Sequence, residues 1–87
     1  MATISNNDMI KVYWKPNCKF CEMAKALLSK HNLDYQPIEL GSDISIEYFK
    51  MVNPEVQTAP AIFVNERFIG GYTELKKSLE SDTTAAG

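Results

Sequence analysis

The chain has 87 residues, of which 45% are hydrophobic and 23% charged, and its formal net charge is −2. That length supplies one hydrophobic core and no second, and the balance is that of a compact globular domain rather than a disordered chain. A net acidic chain has no basic stripe to neutralise phosphates, so nucleic acid is not an expected partner, and no apolar run reaches membrane-spanning length.

Residues 9–14 are β-branched and aromatic, with Ile10, Val12 and Trp14 sharing one face at period two, and predict a first strand. Lys15-Pro16-Asn17 breaks it. From Lys19 to about His31, the apolar positions Phe20, Met23, Ala24, Leu27 and Leu28 follow helical spacing, and Asn32 closes the helix. Residues 34–40 alternate again, and Pro37 marks that strand as an edge strand or one with a local irregularity. Gly41-Ser42-Asp43 supplies a turn and an N-cap for a helix to about Val52, with Tyr48, Phe49 and Val52 apolar on one side. Asn53-Pro54 ends it. Residues 61–64 and 67–69 are short apolar runs joined at Asn65-Glu66, the pattern of a β-hairpin. Gly70-Gly71 stops the second run. Thr73 reads as the N-cap of a last helix, with Glu74 near its positive end and Leu75 and Leu79 turned inward. Residues 1–8 and 81–87 read as polar tails of a single domain with its ordered core at about 9–80.

The order β-α-β-α-β-β-α implies an α/β fold. Its opening unit joins parallel strands by a right-handed crossover and its closing hairpin adds antiparallel ones, so a four-stranded mixed sheet flanked by helices is expected. Trp14, Met23 and Met51 fit core packing. The acidic residues Glu22, Glu39, Glu47 and Glu80 form no catalytic pair.

Cys18-Lys19-Phe20-Cys21 puts two thiols one helical turn apart, close enough to form a disulfide. Cys18 falls at the helix start, where free N–H groups and the helix dipole favour thiolate, and Lys15 and Lys19 push its pKa in the same direction. Cys21 is expected to be the buried, protonated partner. Cys18 is then the catalytic nucleophile that attacks a substrate disulfide, and Cys21 resolves the mixed disulfide. A C-x-x-C pair is also half of many zinc sites, but His31 is the one histidine and four ligands cannot be assembled without a second chain, so no metal is expected. An inert buried cysteine pair is the remaining alternative. Two cysteines three apart, instead of a disulfide framework, and a leading segment without the charged and apolar regions of a secretory signal, lead to the expectation of a reducing, cytoplasmic location.

Taken together, residues 15–21, Thr58-Ala59-Pro60 and Gly70-Gly71-Tyr72-Thr73-Glu74 resemble a dithiol glutaredoxin, in the right order and across residues 9–79. The resemblance implies a thioredoxin-like fold, no permanently bound cofactor, and glutathione as the reducing co-substrate. It implies a cis-proline at Pro60, with Ala59 pairing its backbone with the substrate's cysteinyl unit. It also implies a glutathione site in which Gly71, Tyr72 and Thr73 receive the γ-glutamyl carboxylate, Lys15 and Gln57 the glycyl carboxylate, and Phe20 forms an aromatic wall. Lys19 and Phe20 stand where the family commonly has proline and tyrosine, Ala59 where valine is frequent, and Thr73-Glu74 where two aspartates are frequent. The partners implied are disulfide-containing or glutathionylated proteins, ribonucleotide reductase among the candidates, met by a monomer. Two other functions fit the same thiols: a thioredoxin-like donor reduced by thioredoxin reductase, and an iron–sulfur carrier using Cys18 across a dimer, against which Cys21 weighs.

Overall fold

The computed structural model describes residue 4 and residues 7–56 and 58–86. Its elements run β1 (Ile10–Trp14), α1 (Lys19–Lys30), β2 (Gln36–Glu39), α2 (Ile46–Val52), β3 (Ala61–Val64), β4 (Arg67–Gly70) and α3 (Tyr72–Ala86). The strands form one sheet in the order β2-β1-β3-β4. β1 lies parallel to β2 and antiparallel to β3, and β3 is antiparallel to β4, so the sheet is mixed as the element order requires. Pro37 sits in β2 at the sheet edge, where its missing N–H leaves no ladder bond unmade.

Alternation along the strands sorts side chains between two cores. Ile10, Val12 and Ile62 meet Ala24 and Leu28 of α1 and Leu75 and Leu79 of α3 on one face, with Trp14 packed against them. On the other face Ala61 and Phe63 meet Phe49 of α2, with Tyr13 and Phe68 alongside. Tyr13 bridges this second core, its ring centroid 4.5 Å from Phe49 and 5.2 Å from Phe63. Trp14 also carries the Lys25 ammonium 3.9 Å above its ring.

Two asparagines mark predicted stops. At the end of α1, Asn32 has φ 57°, the Leu33 N–H reaches the Leu28 carbonyl and the Asn32 N–H the Ser29 carbonyl, a Schellman termination sealed by buried Leu33. In the hairpin, Asn65 and Glu66 have φ 53° and 69°, the paired positive values of a type I′ turn. The Asn65 side chain accepts from the Met9 N–H at 2.9 Å and donates to Asp8 at 2.8 Å, tying the turn to the segment before β1.

Three boundaries differ from expectation. Ser45, not Asp43, caps α2, its hydroxyl accepting the Tyr48 N–H at 3.3 Å. Ile44 bridges Leu40 and keeps the preceding residues in a turn, while Asp43 closes that turn by accepting the Glu39 N–H. Gly71, not Thr73, precedes the first residue of α3, and Thr73 lies in the first turn. α3 also continues to Ala86, past the expected polar tail, because no glycine or proline interrupts its ladder after Tyr72 until Gly87. On α2 only Phe49 is buried. Tyr48 and Val52 are each 54% exposed and Met51, expected in the core, is 71% exposed, because a seven-residue helix turns one side chain into the aromatic cluster and leaves the rest outside.

Candidate active site

β1 ends at the turn that launches α1, so the sheet delivers the thiol pair to its carboxyl edge. Asn17, with φ 60°, makes the bend, and Cys18 follows as the N-cap of α1 in extended conformation. Its sulfur accepts the Cys21 N–H at 3.2 Å, in the position a serine or aspartate cap would fill. Cys18 and Cys21 are joined as a disulfide with Cα atoms 5.2 Å apart. Cys18 is half-buried whereas Cys21 is fully buried. The asymmetry expected from helix position is therefore present: one sulfur faces the surface and the other the core.

Opposite the sulfur lies the segment before β3. The Ala59–Pro60 bond is cis, and the Ala59 carbonyl oxygen is 3.8 Å from Cys18 Sγ. Behind it, Gly71 passes so close that a Cβ there would lie 3.2 Å from the Pro60 carbonyl oxygen. A Cβ there would require the start of α3 or the proline segment to give by a few tenths of an ångström.

These pieces enclose a cleft of about 540 Å³ whose walls include Phe20, Thr58, Ala59, Pro60, Tyr72 and Thr73. Gly71 and Glu74 complete its α3 side. Phe20 is 55% exposed at its mouth, its ring centroid 6.0 Å from that of Tyr72. Of the expected glutathione residues, six therefore share one cleft: Phe20, Ala59, Pro60, Gly71, Tyr72 and Thr73. Lys15 lines an adjoining hollow that has Thr58 and Ala59 as common walls. Gln57 lies outside the described residues. Lys19 is exposed on the first turn of α1, and among the described residues neither it nor Lys15 forms a hydrogen bond or ion pair with the cysteines. Among the described residues no three His, Cys, Asp or Glu side chains cluster as a metal-binding set, and no helix is long and apolar enough to cross a membrane.

Glu74 has a role the sequence reading missed. Its carboxylate accepts the Gly71 N–H at 2.9 Å, satisfying a free donor at the head of α3 by reaching back three residues. A glutamate at the third helical position was the available signal. The Gly71 N–H is the main reason the Glu74 carboxyl is held below its ordinary value of 4.5, with a smaller contribution from its own backbone N–H. A depressed carboxyl contributes stability that is present above its unfolded pKa and lost as pH falls through the folded value. Replacing Glu74 with alanine is therefore expected to lower the thermal midpoint modestly at neutral pH. Its gap from wild type should close as the pH drops below 4.5, and a gap constant through the acid range in thermal scans would contradict this assignment.

A dithiol at the head of the helix that leaves the central β1, facing a cis-proline segment, defines the class: this is a thioredoxin-like protein with a redox-type cysteine pair. The glutaredoxin family model matches residues 10–69. Mitochondrial glutaredoxin-2 of Bos taurus is 40% identical over 77 residues, covering 83% of this chain and 47% of that protein, so the chain spans about half its length. Glutaredoxin-2 of Schizosaccharomyces pombe is 38% identical over 85 residues, covering 92% of this chain and 74% of that one. The structure of a buckwheat glutaredoxin–glutathione complex is similar in fold, with a TM-score of 0.70 at 23% identity over 92% of this chain and 76% of the other. The chain belongs to the glutaredoxin family.

Proposed function

We propose that the protein is a dithiol thiol–disulfide oxidoreductase that reduces protein disulfides and glutathione mixed disulfides and is itself reduced by glutathione. The observation that carries this reading is the unequal pair: a half-exposed Cys18 at the head of α1, with the Cys21 N–H aimed at its sulfur, and a fully buried Cys21 behind it. An N–H donor and the helix N-terminus both favour negative charge on that sulfur in the reduced protein.

The chemistry follows from that arrangement. Cys18 thiolate attacks one sulfur of a substrate disulfide, a new S–S bond forms to Cys18, and the other substrate thiolate leaves and takes a proton from water. Cys21, having lost its proton to solvent, attacks Cys18 Sγ and releases the second substrate thiol, leaving the intramolecular disulfide. Two glutathione thiols then return the electrons: the first opens the disulfide by bonding to Cys18, and the second removes it as oxidised glutathione. The cleft beside Cys18 supports glutathione as reductant, with the Tyr72 and Thr73 N–H groups at the head of α3 suited to a carboxylate, the Gly71 N–H being held by Glu74, and the Ala59 segment suited to pairing with a peptide-like thiol. A complex with glutathione is also known for the buckwheat relative. Lys15 belongs in this proposal as a cation for the glycyl carboxylate at the far wall. Disulfide-containing or glutathionylated proteins are the partners proposed, in a reducing compartment such as the cytoplasm; several relatives are named as mitochondrial.

A coupled assay tests the electron source. Glutathione with glutathione reductase is expected to sustain turnover of a glutathione mixed disulfide, and thioredoxin reductase is expected to sustain little. The reverse result would overturn the glutathione site while leaving the thiol chemistry intact.

A further inference from the structure

Two hollows meet beside Cys18. The cleft already described shares Thr58 and Ala59 with a second hollow of about 220 Å³, which runs toward α2 and is lined by Lys15, Ile46 and Lys50. Because the Ala59 carbonyl oxygen is 3.8 Å from Cys18 Sγ, the two hollows are arms that share a wall next to the reacting sulfur. Their charges are opposite. Glu55 and Glu74 line the first arm, Lys15 and Lys50 the second.

The second arm is cationic on a chain of net charge −2. Lys11 and Lys25 hold carboxylates at 3.0 and 3.1 Å. Among the described residues Lys15 and Lys50 hold none, although Glu47 stands one turn before Lys50. Ile46 and Lys50, four residues apart, share the α2 face that borders the hollow, and Ile46 is 44% exposed there. An exposed apolar side chain lining the same hollow as two lysines that hold no carboxylate among the described residues suits a segment that brings one carboxylate and some apolar surface.

We propose that this second arm is a subsite for an acidic side chain of a polypeptide substrate, on the segment that carries its reactive cysteine, and that Lys50 reads that side chain. The inference rests on the reading under Proposed function. Lys15 belongs to the glutathione site in that reading and Lys50 does not, so the test goes through Lys50.

Short peptides with one cysteine blocked as its thionitrobenzoate mixed disulfide provide a coloured product. Within a set they differ only in Glu, Gln or Lys placed two residues from the cysteine, on the N-terminal side in one set and the C-terminal side in the other. In one set, wild type is expected to reduce the Glu peptide with a kcat/KM about three- to fivefold above that of the Lys peptide, the scale of an exposed ion pair. The preference should shrink as ionic strength rises. Lys50→Gln is expected to remove it and Lys50→Glu to invert it. Equal rates for Glu and Lys peptides in both sets, or a preference that survives in Lys50→Glu, would overturn the subsite while reduction of the Gln peptides leaves the thiol chemistry standing. Failure of wild type to reduce even the Gln peptides would instead bring down the proposed function, and this inference with it.

Discussion

Cys18→Ser is expected to bring reduction of both protein disulfides and glutathione mixed disulfides down to the uncatalysed rate, whereas Cys21→Ser should keep the second activity within the same order of magnitude and lose the first. The difference comes from what each sulfur can reach. Cys18 is half-exposed, caps α1 and sits 3.8 Å from the Ala59 carbonyl at the cleft wall, so an incoming disulfide meets it and not its partner. A serine there still accepts the Cys21 N–H, since serine is a good N-cap, so the helix should persist and the loss should be chemical. Cys21 is fully buried, and its reach is limited to Cys18 one turn away. Its expected part is therefore to displace a substrate thiol held on Cys18. Free glutathione can perform that displacement when the held group is glutathione, but not efficiently when a protein thiol must leave. Steady-state rates on one substrate of each kind separate the cases. Activity of Cys18→Ser equal to wild type, or loss of both activities in Cys21→Ser, would contradict these roles.

The sequence made the strands and α1 legible because their side-chain periods are local. Ile10, Val12 and Trp14 alternate onto one core, and Ala24 and Leu28 repeat onto the same core from α1. The hairpin was legible for the same reason, through Asn65 and its tolerance of positive φ. Helix starts were less so, since aspartate at 43 and serine at 45 are both good caps. What decides between them is the backbone bridge from Ile44 to Leu40, which holds the intervening residues in a turn and which residue type alone does not announce. Thr73 was a reasonable cap by residue type, but the donor at Gly71 is satisfied from inside the helix by Glu74. Exposure of Met51 could not be read from its chemistry, because it depends on how little of a short helix the sheet can cover. In the site, Cys18 and Cys21 were readable from spacing. Ala59 is 41 residues from Cys18, and without the family resemblance no local pattern joins the two. Lys50 was unreadable for the same reason: its place beside Lys15 follows from the way α2 packs through Phe49, not from its neighbours in the chain.

Gly70→Ala is expected to destabilise the protein by about 2 to 3 kcal/mol, a large share of the stability of a domain this small. Gly70 ends β4 with φ 127°, a conformation that a residue with a Cβ adopts only under strain. An added Cβ would also lie 2.5 Å from Glu74 Cγ and 2.6 Å from Glu74 Cβ. The second of those atoms is anchored to the helix and cannot swing aside, so relief requires α3 to shift or the Glu74 side chain to abandon the Gly71 N–H. Either response disturbs the α3 wall of the cleft, where Gly71 already packs against the Pro60 carbonyl. Urea unfolding should show a lower midpoint with an unchanged slope, and KM for a glutathione mixed disulfide should rise more than kcat falls. A double-mutant cycle isolates the flexible part of the crowding: in a Glu74→Ala background the cost of Gly70→Ala should drop, because the Cγ and Cδ contacts are gone, but should not vanish, because the contact with the Cβ at position 74 and the backbone strain remain. Equal cost in both backgrounds would show that Glu74 Cγ and Cδ do not crowd the position and would leave the penalty to the Cβ contact and the backbone of Gly70.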